Sequence, residues 1–299
     1  MKETTKTSEV KLPSLDQLLN AGVHFGHKKS AWNPKMKPYI YTERNGVHII
    51  DLISTLTQLK KALAAIKDAS DRGNVLVVGT KGQAASLVQT MAQENGAFYV
   101  NKRWPGGLFT NFKAIKKSVD KLVSMEETLA SGAKGLVKKE QLLMKREVER
   151  LNKIYSGIKF MDKLPTLMIV IDSKLEKNAV KEAKIVGMPI VSLVDTNSDP
   201  LLVDYPIPAN DDSIKSITLF IELFGKAINE GAKAKTLITL RKEEEAKLER
   251  MANAHAEEVE KKRLMEEQER ERIKALKEGK ALDTAAVKPV RVVRKAKKA

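Results

Sequence analysis

Asn74-Val75-Leu76-Val77-Val78-Gly79-Thr80-Lys81-Gly82 decides the fold class. Four consecutive apolar residues end at a glycine, a helical pattern follows from Gln83 to Glu94, and a second apolar run occupies Ala97 to Val100. A strand buried on one face alternates apolar and polar residues, whereas a strand covered on both faces is apolar throughout, as in a parallel sheet. The rhythm returns downstream. Leu167 to Ile171 precedes a helix near Glu176 to Val186. Pro189 to Val194 and Tyr205 to Ile207 are further short strands, and a helix follows from Ser213 to Asn229. Strands alternating with helices make βαβ units, so the chain is read as α/β with a parallel sheet.

Upstream, Ser14 caps a short helix whose apolar face is Leu15, Leu18 and Leu19, ended by Gly22. Asn45-Gly46 between the apolar runs of Tyr39 to Ile50 signals a β-hairpin. Leu52, Thr55, Leu59, Leu63 and Ile66 then mark a helix over about Asp51 to Asp71. Residues 111–156 break the α/β rhythm, with two long helical patterns around the turn Ser131-Gly132-Ala133-Lys134-Gly135. This predicts an inserted α-helical hairpin with Leu122, Met125, Leu142 and Leu143 in its seam. The expected organisation is a disordered lead over 1–12, an α/β domain in two parts over 13–110 and 157–231, the hairpin over 111–156, and a charged tail over 232–299.

The net charge of +16 is denser toward the end: 34 Lys and Arg face 25 Asp and Glu up to Gly231, and 20 face 13 in the much shorter stretch beyond it. A surplus of this size attracts polyanions, nucleic acid first, because neutralising phosphates releases counterions. The tail pairs Glu243 with Lys247, Glu257 with Lys261 and Glu258 with Lys262 at i,i+4, which predicts a solvated helix ending in a basic run from Val287. Its apolar content is too low for a membrane-surface helix. No apolar stretch is long enough to span a bilayer, and the polar start lacks the apolar core of a signal peptide. With no cysteine there is no thiolate metal site and no cysteine nucleophile. These features predict a cytoplasmic protein.

Three segments carry candidate chemistry. Gly22 to Tyr39 interleaves His24, His27, Lys28, Lys29, Lys35 and Lys37 with Phe25 and Trp32, a mixture suited to phosphates and unstacked bases; Phe25 itself is read as core. Asn101-Lys102-Arg103-Trp104-Pro105-Gly106-Gly107 follows a strand at the carboxyl edge, where open sheets bind partners. There Lys102 and Arg103 are read as contacts and Trp104 as packing. The basic helix start with Lys113, Lys116 and Lys117 extends the set. Lys81 joins it from the Gly79-Thr80-Lys81-Gly82 loop, which offers helix N-terminal amides to an anion but matches neither GxxxxGK[ST] nor GxGxxG. A sugar-phosphate enzyme is the alternative reading of that loop, although no nucleophile–base pair or paired acids emerge. A metal ion at His24 or His27 with Asp195, Asp199 or Asp211 is the alternative to structural histidines, and no cofactor is expected.

Several long motifs in order carry a family resemblance. Ala21-Gly22-Val23-His24-Phe25-Gly26-His27, Trp32-Asn33-Pro34-Lys35-Met36-Lys37-Pro38-Tyr39-Ile40 and Phe98 through Asn111 resemble the bacterial small-subunit ribosomal protein S-two family. So do Val78-Gly79-Thr80-Lys81, Val194 to Pro200 and Ile207 to Ser213, so that the match runs from about Leu15 to Gly231. The resemblance implies a flavodoxin-like parallel sheet with an inserted α-helical coiled-coil hairpin, docked on small-subunit ribosomal RNA beside neighbouring ribosomal proteins. It implies no catalysis, no membrane contact and no homo-oligomer. In many bacteria it also implies help in recruiting the large RNA-binding ribosomal protein S-one.

Overall fold

The computed structural model describes residues 10–133 and 137–233. Most of the expected lead and tail, and the end of the turn that starts at Ser131, lie outside the described residues.

The parallel sheet forms from β4 (Val75–Val78), β5 (Phe98–Val100), β6 (Leu167–Val170), β7 (Ile190–Val194) and β8 (Tyr205–Pro208). Their order is β5-β4-β6-β7-β8, with every neighbouring pair parallel. This is the doubly wound order whose switch point lies between the first and third strands, here β4 and β6. Side chains alternate across the sheet, so each apolar run feeds two cores. Val75, Val77, Ile169, Val191 and Ile207 pack with α2 (Leu52–Arg72), α3 (Gly82–Glu94) and the helix over 214–233, α7. Leu76, Val78, Met168, Val170 and Ile190 face α6 (Lys177–Ile185), Met36 and the Trp104–Phe109 stretch. That double covering is why these strands read as uninterrupted apolar runs. The last helix continues through 233, past the expected boundary at 231.

Ahead of this sheet, Ser14 caps α1 (Leu15–Asn20), and β2 (Ile40–Arg44) and β3 (Val47–Ile50) form the expected hairpin. Asn45 and Gly46 both have positive φ, 51° and 72°, as a two-residue primed turn requires. Asp51 caps α2, its carboxylate accepting from the amides of Ile53 and Ser54. One element has no counterpart in the sequence pattern: Phe25–Lys28 is a strand, β1, antiparallel to β3. The strand is short, irregular in register and contains a glycine, so it carries little β signal of its own.

Helices α4 (Phe112–Ala130) and α5 (Lys138–Tyr155) lie between β5 and β6 and pack on each other. Val119, Leu122 and Leu151 are buried, and the Glu126 carboxylate accepts from Asn152 Nδ2 at 2.8 Å and pairs with Lys159. Leu142 and Leu143 do not form the seam: they are 50% and 55% exposed. Met144, Val148 and Leu151 are the more covered positions of α5, and their spacing of four and three turns Leu142 and Leu143 outward. The pair returns to the sheet through Gly157. A Cβ there would lie 2.1 Å from the Tyr99 carbonyl oxygen. Gly157→Ala is therefore expected to cost about 1–3 kcal/mol, as overpacking does, and an unchanged urea midpoint would contradict this. No helix among the described residues is long and apolar enough to cross a membrane.

Candidate nucleic-acid interface

The carboxyl edge of a doubly wound sheet is where such folds bind ligands, in the crevice at the switch point. Here internal ion pairs and hydrogen bonds fill that crevice. The Thr80 amide and hydroxyl donate to Glu176 Oε1 at 2.9 and 2.5 Å, so a carboxylate of the chain occupies the place a phosphate would take. Burial raises the Glu176 pKa, against the hydrogen bonds from Thr80. Lys81, expected to reach outward, turns inward instead. Its ammonium lies 3.4 Å from Asp172, 2.9 Å from Asp211 and 2.6 Å from Asp212. Burial opposes its charge, but the hydrogen bonds to Asp212 and Asp211 prevail and raise its pKa. An outward search for a phosphate would cost Lys81 all three partners, which corrects its assignment as a contact residue.

β1 crosses this edge. Gly26 permits the crossing, since a Cβ there would sit 2.6 Å from Thr196 Cγ2. The backbone that follows it locks onto Thr196 twice: the His27 amide donates to Thr196 Oγ1 at 2.8 Å and the Asn33 amide to the Thr196 carbonyl at 2.7 Å. His27 Nδ1 then lies 3.1 Å from Asp195 and Nε2 3.4 Å from Asp212. His27, Asp195, Asp211 and Asp212 offer ligand atoms within 4.8 Å of one another, so these four have the geometry to hold a cation. Of the two histidines weighed for such a site, His27 is in the group and His24 is not. Its ring packs on Phe25 at 4.0 Å, its Nδ1 is buried without a hydrogen-bond partner, and burial lowers its pKa.

The hydrogen bond to Asp195, with the charges of Asp195, Asp211 and Asp212, raises the His27 pKa against the opposing effect of burial. A histidine with a raised folded-state pKa contributes stability that is complete below its unfolded value and is lost as pH climbs through the folded value. His27→Gln is expected to cost about 1.5 kcal/mol at pH 6, typical of a charge-assisted hydrogen bond, and less at pH 8.5. Equal losses at both pH values in urea melts would remove His27 as the titrating tie.

The remaining expected residues sort by exposure and pairing. Lys28, Lys37, Lys102, Arg103, Lys113 and Lys117 are exposed and make no ion pair among the described residues. Lys29 pairs with Glu43 at 2.8 Å, Lys35 with Asp199 at 2.6 Å and Lys116 with Asp162 at 2.7 Å. Trp32 is half-buried against His48, ring centroids 5.0 Å apart. Phe25 corrects its expectation as core: it is 50% exposed. Trp104 is packing, as expected, buried with Phe109 in an edge-on contact at 5.0 Å.

Asn101 anchors the start of the loop that carries Lys102 and Arg103, its Nδ2 donating to the Ala85 carbonyl at 3.2 Å and to Gln89 Oε1 at 3.0 Å. The end of the loop is held by Glu182, a residue that no motif singled out. Burial acts to raise its pKa, but hydrogen bonds from Trp104, Gly107, Phe109 and Thr110 prevail and lower it. Asp172, Glu176 and Glu182 were invisible in sequence because acids near a helix start or within a basic helix have solvation as their ordinary meaning.

The family model described as ribosomal protein S2 matches residues 18–231. The small ribosomal subunit protein uS2 of Rhizobium etli (strain CIAT 652) is 48% identical over 219 residues, covering 73% of this chain and 86% of that protein. The uS2 of Coprothermobacter proteolyticus is 47% identical over 244 residues, 80% and 90% of the two chains. That of Synechococcus sp. (strain JA-2-3B'a(2-13)) is 51% identical over 220 residues, 73% and 83%.

Proposed function

Because the chain belongs to the ribosomal protein S2 family, we propose that it grips small-subunit ribosomal RNA through Lys28, Lys37, Lys102, Arg103, Lys113 and Lys117. Members are structural constituents of the small ribosomal subunit, without catalysis, and work in the ribosome in the cytoplasm. The observation that carries the RNA reading is the exposure of these six cations without an acidic partner among the described residues. Lys29, Lys35 and Lys116 join only by exchanging Glu43, Asp199 and Asp162 for phosphate. Trp32, His24 and His27 support the surface from within.

The turn over Pro34–Tyr39 and the loop after Asn101 cover one face of the sheet, since Met36 and Trp104 share its core. This supports a single RNA-facing region that continues onto α4. In this reading 111–156 is a coiled-coil arm inserted between the two parts of the α/β domain, 13–110 and 157–231, and 232–299 is an accessory charged tail. Neighbouring small-subunit proteins are the protein partners, with ribosomal protein S-one proposed among them on the family resemblance alone.

The test is sedimentation with small ribosomal subunits through a sucrose gradient at low and moderate salt. Stoichiometric association that persists at moderate salt is expected. Association abolished by moderate salt would reduce the protein to a polycation adhering to RNA.

A further inference from the structure

The loop that carries Lys102 and Arg103 closes on a single carboxylate. Glu182 Oε1 accepts from Trp104 Nε1 at 2.9 Å and from the Gly107 amide at 2.8 Å. Oε2 accepts from the Phe109 amide at 3.1 Å and from the Thr110 amide and hydroxyl at 3.4 Å each. Five donors from residues 104–110 thus converge on one side chain of α6. Glu182 has no ion-pair partner among the described residues, so its charge is met by amide, indole and hydroxyl dipoles alone.

Apolar packing already holds this stretch down, because Trp104, Leu108 and Phe109 are buried. Packing resists lifting, but it does not fix the rotation of the backbone about its own axis. Directional hydrogen bonds to one rigidly mounted acceptor do. Gly107, at φ +85°, supplies the bend that points its amide at the carboxylate. At the other end, Asn101 is pinned to α3 by two bonds. Lys102 and Arg103 are the only residues between the two anchored points, Asn101 and Trp104.

Resting on the reading that Lys102 and Arg103 meet RNA, we infer that Glu182 is the positioning residue of this contact. Its carboxylate gathers the 104–110 donors and fixes the direction in which the two cations leave the surface. It does not touch RNA. Its effect is to remove the ordering cost that a free loop would incur on binding.

The test measures the affinity of the full chain for small subunits stripped of this protein, across a salt series, with far-UV circular dichroism and the urea midpoint as controls. Glu182→Gln keeps the side-chain shape but turns an amide donor toward the donors of the loop. It is expected to weaken binding on the order of tenfold, the size of one lost charge-assisted bond, and to flatten the salt dependence. In a Lys102→Ala, Arg103→Ala background the same substitution is expected to have no further effect, because there is nothing left to position. Trp104→Phe removes one donor while keeping a ring in place, and should show a smaller loss with the same non-additivity. It carries the test should Glu182→Gln fail to fold.

Full additivity with the 102/103 pair would make Glu182 a stabiliser of the fold and nothing more, and overturn the inference. So would a weakened 102/103 pair beside parent-like binding by both Glu182→Gln and Trp104→Phe. Parent-like binding by the 102/103 pair itself would instead overturn the underlying RNA reading.

Discussion

Lys102→Ala together with Arg103→Ala is expected to weaken association with small subunits on the order of tenfold to a hundredfold at moderate salt, without lowering stability. Each cation that meets a phosphate releases counterions, so losing two should reduce the salt slope by about 1.5 to 2. Both side chains are exposed and without ion pairs among the described residues, so alanine leaves no orphaned charge behind. Arginine also brings a planar fork that a lysine cannot replace. Arg103→Lys is thus expected to recover the slope but only part of the affinity. The contrast is Lys35→Ala. That lysine is bound to Asp199 at 2.6 Å in the free protein, so its removal should alter binding less. An unchanged salt slope in the double variant would take these residues out of the interface.

The largest stability effect is expected from Lys81→Met. The ammonium is the shared partner of Asp172, Asp211 and Asp212, and Asp211 is 1% exposed. Burial, with the nearby charges of Asp172 and Asp195, raises the Asp211 pKa to about 7 even against the Lys81 contact. Removing one member of a buried ion pair typically costs about 3–5 kcal/mol, because the charge left behind is uncompensated.

The sign of the pH dependence follows from that carboxyl. A folded-state pKa raised above the unfolded value means that the folded protein holds the proton more tightly, so stability falls as pH rises toward about 7. Protonation relieves the orphaned charge, and the deficit of Lys81→Met should be smaller at pH 5 than at pH 8. Urea melts at the two pH values measure this. A variant as stable as the parent at pH 8 would remove Lys81 as the keystone of the cluster. A folded Lys81→Met variant that binds subunits with the parental salt slope would further separate this lysine from the RNA surface.

The alternation of apolar runs with helical patterns by itself determined the sheet, because burial on both faces leaves no room for polar positions in Val75–Val78 or Leu167–Val170. Asn45-Gly46 determined the hairpin for a similarly local reason: both residues must take positive φ. The helical pair between β5 and β6 was also legible, being a matter of 3.6-residue periodicity over long segments. Its seam was not: hydrophobicity alone cannot tell which of Leu142, Leu143, Met144 and Val148 faces the partner helix, since that depends on helix phase.

What only the tertiary structure decided was which charges are free. Lys81 and Lys102 are alike in sequence, each a lysine just beyond a strand. One is enclosed by carboxylates that lie 91, 130 and 131 positions away, and the other pairs with none among the described residues. Likewise His27, not His24, reaches the Asp195 cluster: Gly26 lets β1 pass against Thr196, whereas His24 lies in the turn before β1 with its ring on Phe25. Composition and local pattern report a residue's chemistry and the periodicity of its neighbours. Pairing depends on what distant segments bring within a few ångströms, and that information exists only once the chain has folded.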